Sequence, residues 1–289
     1  MKKNKQTESQ IQTQNQNQTS QKEVSKKKFS QGLPVFNPFA AGVDVGDTFF
    51  DDWTESNIED EICSSRFQDT KWLMSDENNI YLNSKKAFLL VSRLVQEYSG
   101  IFVEIAAGPT GGFSSGYLVR NPNSQVIVSD ISRTLMKKWS SILQESGFSN
   151  SGAMAMNICN LPFLSETIDV VSGRYALINI AKESGSYEDG MEEAYRVLKN
   201  DGCMVLCEFR LSEKSIQYLT LEQREMILRE HPAVFKDIVK ECSKLGFKQI
   251  EKHILGSWNN ADDDSDLAAL CRGLGVSLDF EEVLLFCYK

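Results

Sequence analysis

Five near-continuous apolar runs lie in the middle of the chain: Ile101–Ala107, Gln125–Asp130, Gly152–Ile158, Ile168–Tyr175 and Cys203–Phe209. Helix-patterned stretches, Ser132–Glu145 and Tyr187–Leu198, fall between them. A strand that is apolar at nearly every position has to be covered on both faces, and helical connections supply that cover. The pattern therefore predicts an α/β domain with a doubly wound, mostly parallel sheet. Further stretches extend it. Lys85–Tyr98 spaces Phe88, Val91, Leu94, Val95 and Tyr98 along one helical face. Asn200-Asp201-Gly202 reads as a turn before the fifth strand. Leu219–Glu230 and Pro232–Leu245 read as helices, the second stopped by Gly246. Phe247–Leu255 and Phe280–Tyr288 read as two last strands, joined by an acidic loop with no compelling helix and paired as an antiparallel hairpin.

The ends of the chain differ from this middle. Residues 1–30 are rich in Gln, Asn, Ser, Thr and Lys, with too little apolar surface to offset the entropy of ordering, and a disordered tail is expected there. They hold seven lysines against Glu8 and Glu23, so the formal net charge of −9 conceals a strongly acidic body. Such a body is a poor partner for nucleic acid, whose phosphates call for clustered Lys and Arg. Residues 31–84 carry Phe36, Phe39, Phe49, Phe50, Trp53, Phe67, Trp72 and Tyr81, and are expected to form an N-terminal extension packed on the domain at 85–289. No run is long and apolar enough for a membrane span, and no signal-peptide pattern is present. The seven cysteines form no C-x-x-C pair, which points to reduced thiols in a cytoplasmic protein rather than to zinc or disulfides. Asp262-Asp263-Asp264 with Asp266 lacks calcium-loop spacing and reads as a solvated loop; no metal is expected.

Two segments point to a ligand. Phe102-Val103-Glu104-Ile105-Ala106-Ala107-Gly108-Pro109-Thr110-Gly111-Gly112 runs from a buried strand into small residues. In open α/β sheets ligands sit at such strand ends, where small residues let them approach the backbone. Val126-Ile127-Val128-Ser129-Asp130 then puts a carboxylate at the end of the next strand, able to accept from ribose hydroxyls. Asp130 or Ser132 would equally serve as the N-cap of the following helix. Both features suit a dinucleotide or an adenosyl ligand. The stretch lacks G-x-G-x-x-G spacing, and Glu104 inside it would repel a pyrophosphate while suiting a cationic amino-acid ligand, which favours S-adenosylmethionine over NAD.

With these residues in view, the chain resembles the class I S-adenosylmethionine-dependent methyltransferases, in particular the small-molecule subgroup with a Leu-Pro-Phe signature. Glu104-Ile-Ala-Ala-Gly108 resembles the acidic, glycine-rich first motif and Val128-Ser-Asp130 the ribose motif. Asn157-Ile-Cys-Asn-Leu161-Pro162-Phe163 resembles the adenine-side segment, and Glu193-Ala-Tyr-Arg196 through Gly202 the helix and turn before strand five. The resemblance implies a Rossmann-like sheet of seven strands ending in an antiparallel hairpin. It implies that Glu104, Ala106 and Gly108 hold the amino-acid end of S-adenosylmethionine and that Asp130 holds the ribose. Ile131, Ile158 and Asn157 would surround the adenine, with Arg174 and Tyr175 facing the sulfonium and the acceptor. Ala106 and Thr110 stand where the family has glycines, and Asn157 where it often has Asp.

Methyl transfer from a sulfonium needs positioning and exclusion of water more than acid–base help. No catalytic base is assigned. His231 and His253 read as structural, and Glu208 as either an acceptor-side base or a solvated strand end. Phe36-Asn37-Pro38-Phe39 precedes the cofactor motif and carries no reading of its own. The acceptor is expected to be a small, partly apolar molecule, lodged between the aromatic extension and the insertion at Leu211–Glu230. A methyltransferase-like protein without turnover is the second reading, and an NAD-dependent oxidoreductase the third. The sequence fixes no oligomeric state.

Overall fold

The computed structural model describes residues 90–91, 98, 100–108, 111–114, 117–118, 121–180, 185–260 and 266–289. The tail at 1–30, the extension at 31–84, most of the helix expected over Lys85–Tyr98, Pro109-Thr110 and the Asp262–Asp264 cluster lie outside them.

Seven strands form one sheet: β1 (Ile101–Ile105), β2 (Gln125–Asp130), β3 (Gly152–Ala155), β4 (Ile168–Arg174), β5 (Leu198–Leu211), β6 (Gln249–Asn259) and β7 (Asp279–Tyr288). Their spatial order is β3-β2-β1-β4-β5-β7-β6. The first five are parallel, and β7 runs antiparallel between β5 and β6. This is the doubly wound, Rossmann-like sheet with an antiparallel end. Phe102, Val126, Val128, Val170, Val205 and Cys207 face one core with Trp139 and Leu143. Val103, Ile105, Ile127, Val171, Met204 and Leu206 face the other, under Met191, Ala194 and Val197. Burial on both faces explains the continuous apolar runs.

Helices within the described residues include α1 (Arg133–Glu145), α2 (Tyr187–Val197), α3 (Glu213–Tyr218), α4 (Leu221–Glu230), α5 (Ile238–Leu245) and α6 (Asp266–Gly273). Ser132, not Asp130, caps α1: its hydroxyl accepts from the Leu135 amide at 3.2 Å. Ser186 and Asp189 form a reciprocal capping box on α2.

Four expectations are corrected. The helix expected over Leu219–Glu230 begins at Leu221, because Thr220 caps it with Gln223, and a separate short helix, α3, precedes it behind Ser212. The helix expected over Pro232–Leu245 is two pieces: a 3-10 turn at Pro232–Phe235, then α5, which Asp237 caps afresh by accepting from the Lys240 amide at 3.2 Å. The loop between the last strands holds α6. Its buried Leu267, Ala268 and Cys271 are only three anchors beside an acidic flank, and Leu267 and Cys271 pack into a third core with Leu211, Ile227 and Phe280. Asn200–Gly202 belongs to β5, not to a turn before it. The segment is a bulge within the strand: β4 advances only from Ile168 to Val170 while β5 advances from Leu198 to Cys203, and the Gly202 carbonyl accepts from the Lys289 amide at 3.0 Å.

Leu90 and Val91 are helical and Val91 is buried; Tyr98 already lies outside a helix. At the amino end of the sheet, Asp169 accepts from the Ile101 amide at 2.8 Å and from Lys199 Nζ at 2.8 Å, tying β4 to the start of β1 and to β5. Asp169→Ala orphans that amide and should cost about 1–2 kcal/mol. In urea unfolding the midpoint should fall while the slope stays unchanged.

Candidate active site

Strand order reverses between β1 and β4, since β2 leaves β1 on one side and β4 lies on the other. The crevice outside the carboxyl ends of these strands is where an open α/β sheet binds ligands. At this point the chain leaves β1 through Ala106, Ala107 and Gly108 and turns at Gly111–Gly112; Ser114, Tyr117 and Leu118 beyond are helical.

Glu104 sits beneath the turn and is fully buried. Its Oε2 accepts from the Ser172 hydroxyl of β4, while the buried Oε1 has no hydrogen-bond partner among the described residues. Burial pushes its pKa up to about 8, against the opposing pull of the Ser172 hydrogen bond, the Phe113 and Ser114 amides and the Arg174 charge. The turn fits over this carboxyl only because residue 112 is glycine: a Cβ there would stand 1.9 Å from Oε1, and its φ is +50°. At Gly108, also left-handed, a Cβ would meet nothing within 4 Å among the described residues. Trp139 of α1 fixes the turn from below, its indole Nε1 donating to the Gly108 carbonyl at 2.9 Å. Ser129 ties it to β2 by donating to the Glu104 carbonyl at 2.6 Å.

Ala106 holds a φ of 50°, the left-handed region in which a Cβ is disfavoured. That is the physical reason a glycine suits this position.

Asp130 lies at the tip of β2, half-buried. One oxygen accepts from the Gly108 amide at 3.0 Å, the other from the Ser132 amide at 3.1 Å. Burial raises its pKa, opposed by these amides and that of Ile131. Each carboxylate oxygen keeps a further lone pair for a ligand hydroxyl. Beyond β3, Asn157 starts a 3-10 turn, its side-chain oxygen accepting from the Cys159 amide at 2.9 Å. Ile131 and Ile158 are both half-buried. The Leu-Pro-Phe segment is held by α2: the Leu161 amide donates to Glu193 at 2.8 Å, and Arg196 donates to the carbonyls of Leu161 at 3.0 Å and Phe163 at 2.9 Å.

On the other side of the switch point, Arg174 and Tyr175 end β4. Tyr175 also has a positive φ, 55°, rare for a bulky residue. Its hydroxyl donates to Glu282 Oε1 of β7 at 2.6 Å, and Arg174 reaches the same oxygen at 3.5 Å. Glu208 is neither a base facing an acceptor nor a solvated strand end. It is buried on the opposite face and accepts from the Leu177 amide at 2.9 Å, fixing the turn after Tyr175. Burial pushes its pKa up to about 8, against the Leu177, Ile178 and Ala176 amides. His253 packs edge-on against Phe286, and His231 sits at the junction of α4 and the following 3-10 turn.

Glu104, Ala106, Gly108 and Asp130 thus converge on one turn, joined by Trp139, Ser129 and Ser172. Trp139 and Ser172 lie outside the motifs, and Ser129 lies inside the ribose motif without a role assigned to it. Ser129 and Ser172 stand out only as polar residues inside apolar strands. Glu282 lies far along the chain and is reached only through the antiparallel pairing of β7. Among the described residues, no group of three or more His, Cys, Asp or Glu side chains could hold a metal ion.

Strand order and glycine turn together define a class I, Rossmann-like methyltransferase fold. Residues 103–206 match the family described as a methyltransferase domain. The ubiquinone/menaquinone biosynthesis C-methyltransferase UbiE of Cereibacter sphaeroides is 29% identical over 109 residues, which cover 36% of this chain; the chain spans only 40% of the length of that relative. A candidate methyltransferase from Bacillus halodurans superposes with a TM-score of 0.53 at 16% identity, covering 70% of this chain and 98% of that one. The Haemonchus contortus phosphoethanolamine N-methyltransferase 2, solved with phosphomonomethylethanolamine and S-adenosylhomocysteine, gives 0.52 at 14% identity, covering 82% and 58%. At these identities the structures share the fold.

Two outcomes follow from the buried site. Ala106→Gly removes a left-handed Cβ at a cost of some backbone entropy, a net gain of about 0.5–1 kcal/mol. Thermal unfolding should show a Tm about 2 °C higher; a lower Tm would mean that Ala106 is not strained. Glu104 and Glu208 keep their protons up to about pH 8 in the folded protein, against an ordinary value of 4.5. The unfolded chain releases those protons first, so stability should fall as pH rises from about 4.5 to 8. Glu208→Gln should make that fall shallower in urea unfolding at stepped pH.

Proposed function

We propose that the protein binds S-adenosylmethionine at the β1–β4 switch point and transfers its methyl group to a small molecule. The observation that carries this reading is the cradle itself. Among the described residues, the buried Glu104 carboxyl lies under the glycine turn with one oxygen unpartnered, no atom stands within 4 Å of where a Gly108 side chain would be, and Asp130 stands at the tip of the adjoining strand. When bound, S-adenosylmethionine supplies an activated methyl group on a sulfonium.

The chain's own residues then have separate tasks. Glu104, behind the turn, offers its carboxyl to the ligand's ammonium, whose positive charge favours release of the carboxyl proton, and Ala106 and Gly108 offer backbone to the ligand's amino-acid end. Asp130 receives the ribose hydroxyls. Ile131 and Ile158 flank the adenine, and Asn157 meets its edge with an amide already steadied at Cys159. Arg174 and Tyr175 border the reacting centre, where Tyr175 is held by Glu282 and the following turn by Glu208. The low polarity of the surrounding core strengthens each of these interactions.

The acceptor is a small molecule on this reading. The acidic composition makes nucleic acid a poor partner. None of the described helices is long and apolar enough to cross a membrane. The six described cysteines are free thiols, in keeping with the reducing cytoplasm.

The test is thermal unfolding with S-adenosylmethionine, S-adenosylhomocysteine or NAD. Either adenosyl ligand at 100 times its dissociation constant should stabilise the protein by about 2.7 kcal/mol. NAD should not, and Asp130→Ala should lose most of the effect. Stabilisation by NAD alone would replace the proposal with a dinucleotide enzyme.

A further inference from the structure

Two residues of the turn after β1 stand in the left-handed region, Ala106 at a φ of 50° and Gly108 at 58°. A glycine visits many other conformations at little steric cost, so its own geometry does not hold it in this one. Pro109, next in the sequence, has no amide hydrogen with which to pin the turn. The conformation of Gly108 is therefore set from outside the turn.

What sets it is a closed ring of hydrogen bonds. The Gly108 amide donates to Asp130 Oδ2 at 3.0 Å, and the Gly108 carbonyl accepts from Trp139 Nε1 at 2.9 Å. Trp139 leads back to Asp130 through α1, whose capping residue Ser132 donates its amide to Asp130 Oδ1 at 3.1 Å. The first half of the turn has a tie of its own, the Ala107 amide donating to the Ser129 carbonyl at 2.8 Å. Both backbone groups of Gly108 are thus engaged within the protein, its amide by the ribose-side carboxylate and its carbonyl by the indole.

Trp139 is 0% exposed and lies in one core with Phe102, Val128 and Leu143, so its ring cannot swing away from Gly108. A buried indole N–H has to find an acceptor, and this ring is packed so that its acceptor is the turn. An apolar ring would fill the same core with no polar edge to satisfy. The N–H therefore serves the turn and not the packing.

Resting on the cofactor reading, we propose that Trp139 is a positioning residue for the amino-acid end of S-adenosylmethionine, acting through the Gly108 carbonyl. Being fully buried, it does not touch the ligand itself. With the indole bond made, the free protein already holds the turn in the conformation that receives the ligand. Without it, the ligand has to order Gly108 as it binds, and affinity falls accordingly. The loss is confined to ligands that reach the turn. Asp130 keeps the Ser132 amide whether or not residue 139 can donate, so the ribose is held as before.

Calorimetric titration of the full-length protein tests this with S-adenosylhomocysteine and 5′-methylthioadenosine, which carries the same adenosyl group but no amino-acid end. Wild type should bind S-adenosylhomocysteine the more tightly. Trp139→Phe keeps an aromatic ring and removes the N–H. It should weaken S-adenosylhomocysteine about fivefold and leave 5′-methylthioadenosine within about twofold. A thermal melt verifies that the variant is folded. If it is not, benzothienylalanine at position 139, which keeps the indole shape and has sulfur in place of the N–H, should give the same split. A purely structural role for Trp139 would weaken both ligands alike or neither. Either result overturns the proposal, as does a wild type that binds the two ligands equally. A wild type that binds neither removes the cofactor reading, and the proposal with it.

Discussion

The site rests on a carboxyl group buried where strand order reverses. Glu104 could have been an apolar residue like its neighbours Val103 and Ile105, at no penalty for burying a charge. Instead it takes a hydroxyl from Ser172, lies under Gly112, and leaves one oxygen unpartnered. This joins β1 to β4 across the switch point and fixes the height at which the glycine turn crosses the sheet. Trp139 and Asp130 then fix the two sides of Gly108, through its carbonyl and its amide. A turn held at three points is preorganised, so a ligand need not order it on binding.

Polar and charged side chains lie towards the strand ends: Glu104, Asp130 and Arg174 at the carboxyl side of one face, Glu208 on the other face, and Asp169 with Lys199 at the amino end. The strand centres are apolar on both sides. The antiparallel β7 matters here because it brings Glu282 to the tips of β4 and β5. A parallel strand in its place would have required a crossover connection. The β4–β5 side of the crevice is thus completed by β7.

Much of this was legible from residues alone. The continuous apolar runs identified the five parallel strands, because strands buried on both faces have little choice of composition. Asp130 was legible from its place at a strand tip, and Glu104 from its place in a glycine-rich exit. Helices marked by few apolar positions were not, as with α6, where three buried anchors stand beside an acidic stretch. The break at Lys236-Asp237 was missed because an Asp cap competes with helical continuity only when the backbone geometry allows it. Glu208 read equally as an acceptor-side base or a solvated strand end, because the backbone amide that occupies it belongs to a turn 31 residues away in sequence. Trp139 and Glu282 illustrate the general obstacle: a side chain recruited by tertiary contact has no local pattern.

The account stands most directly on where an adenosyl ligand sits. A crystal structure of the protein with S-adenosylhomocysteine measures this. It should place the ribose hydroxyls within hydrogen-bonding distance of Asp130 and the adenine against Ile131 and Ile158, with the sulfur towards Arg174 and Tyr175. A ligand bound away from the β1–β4 switch point, or a crevice left empty at saturating ligand, would contradict it.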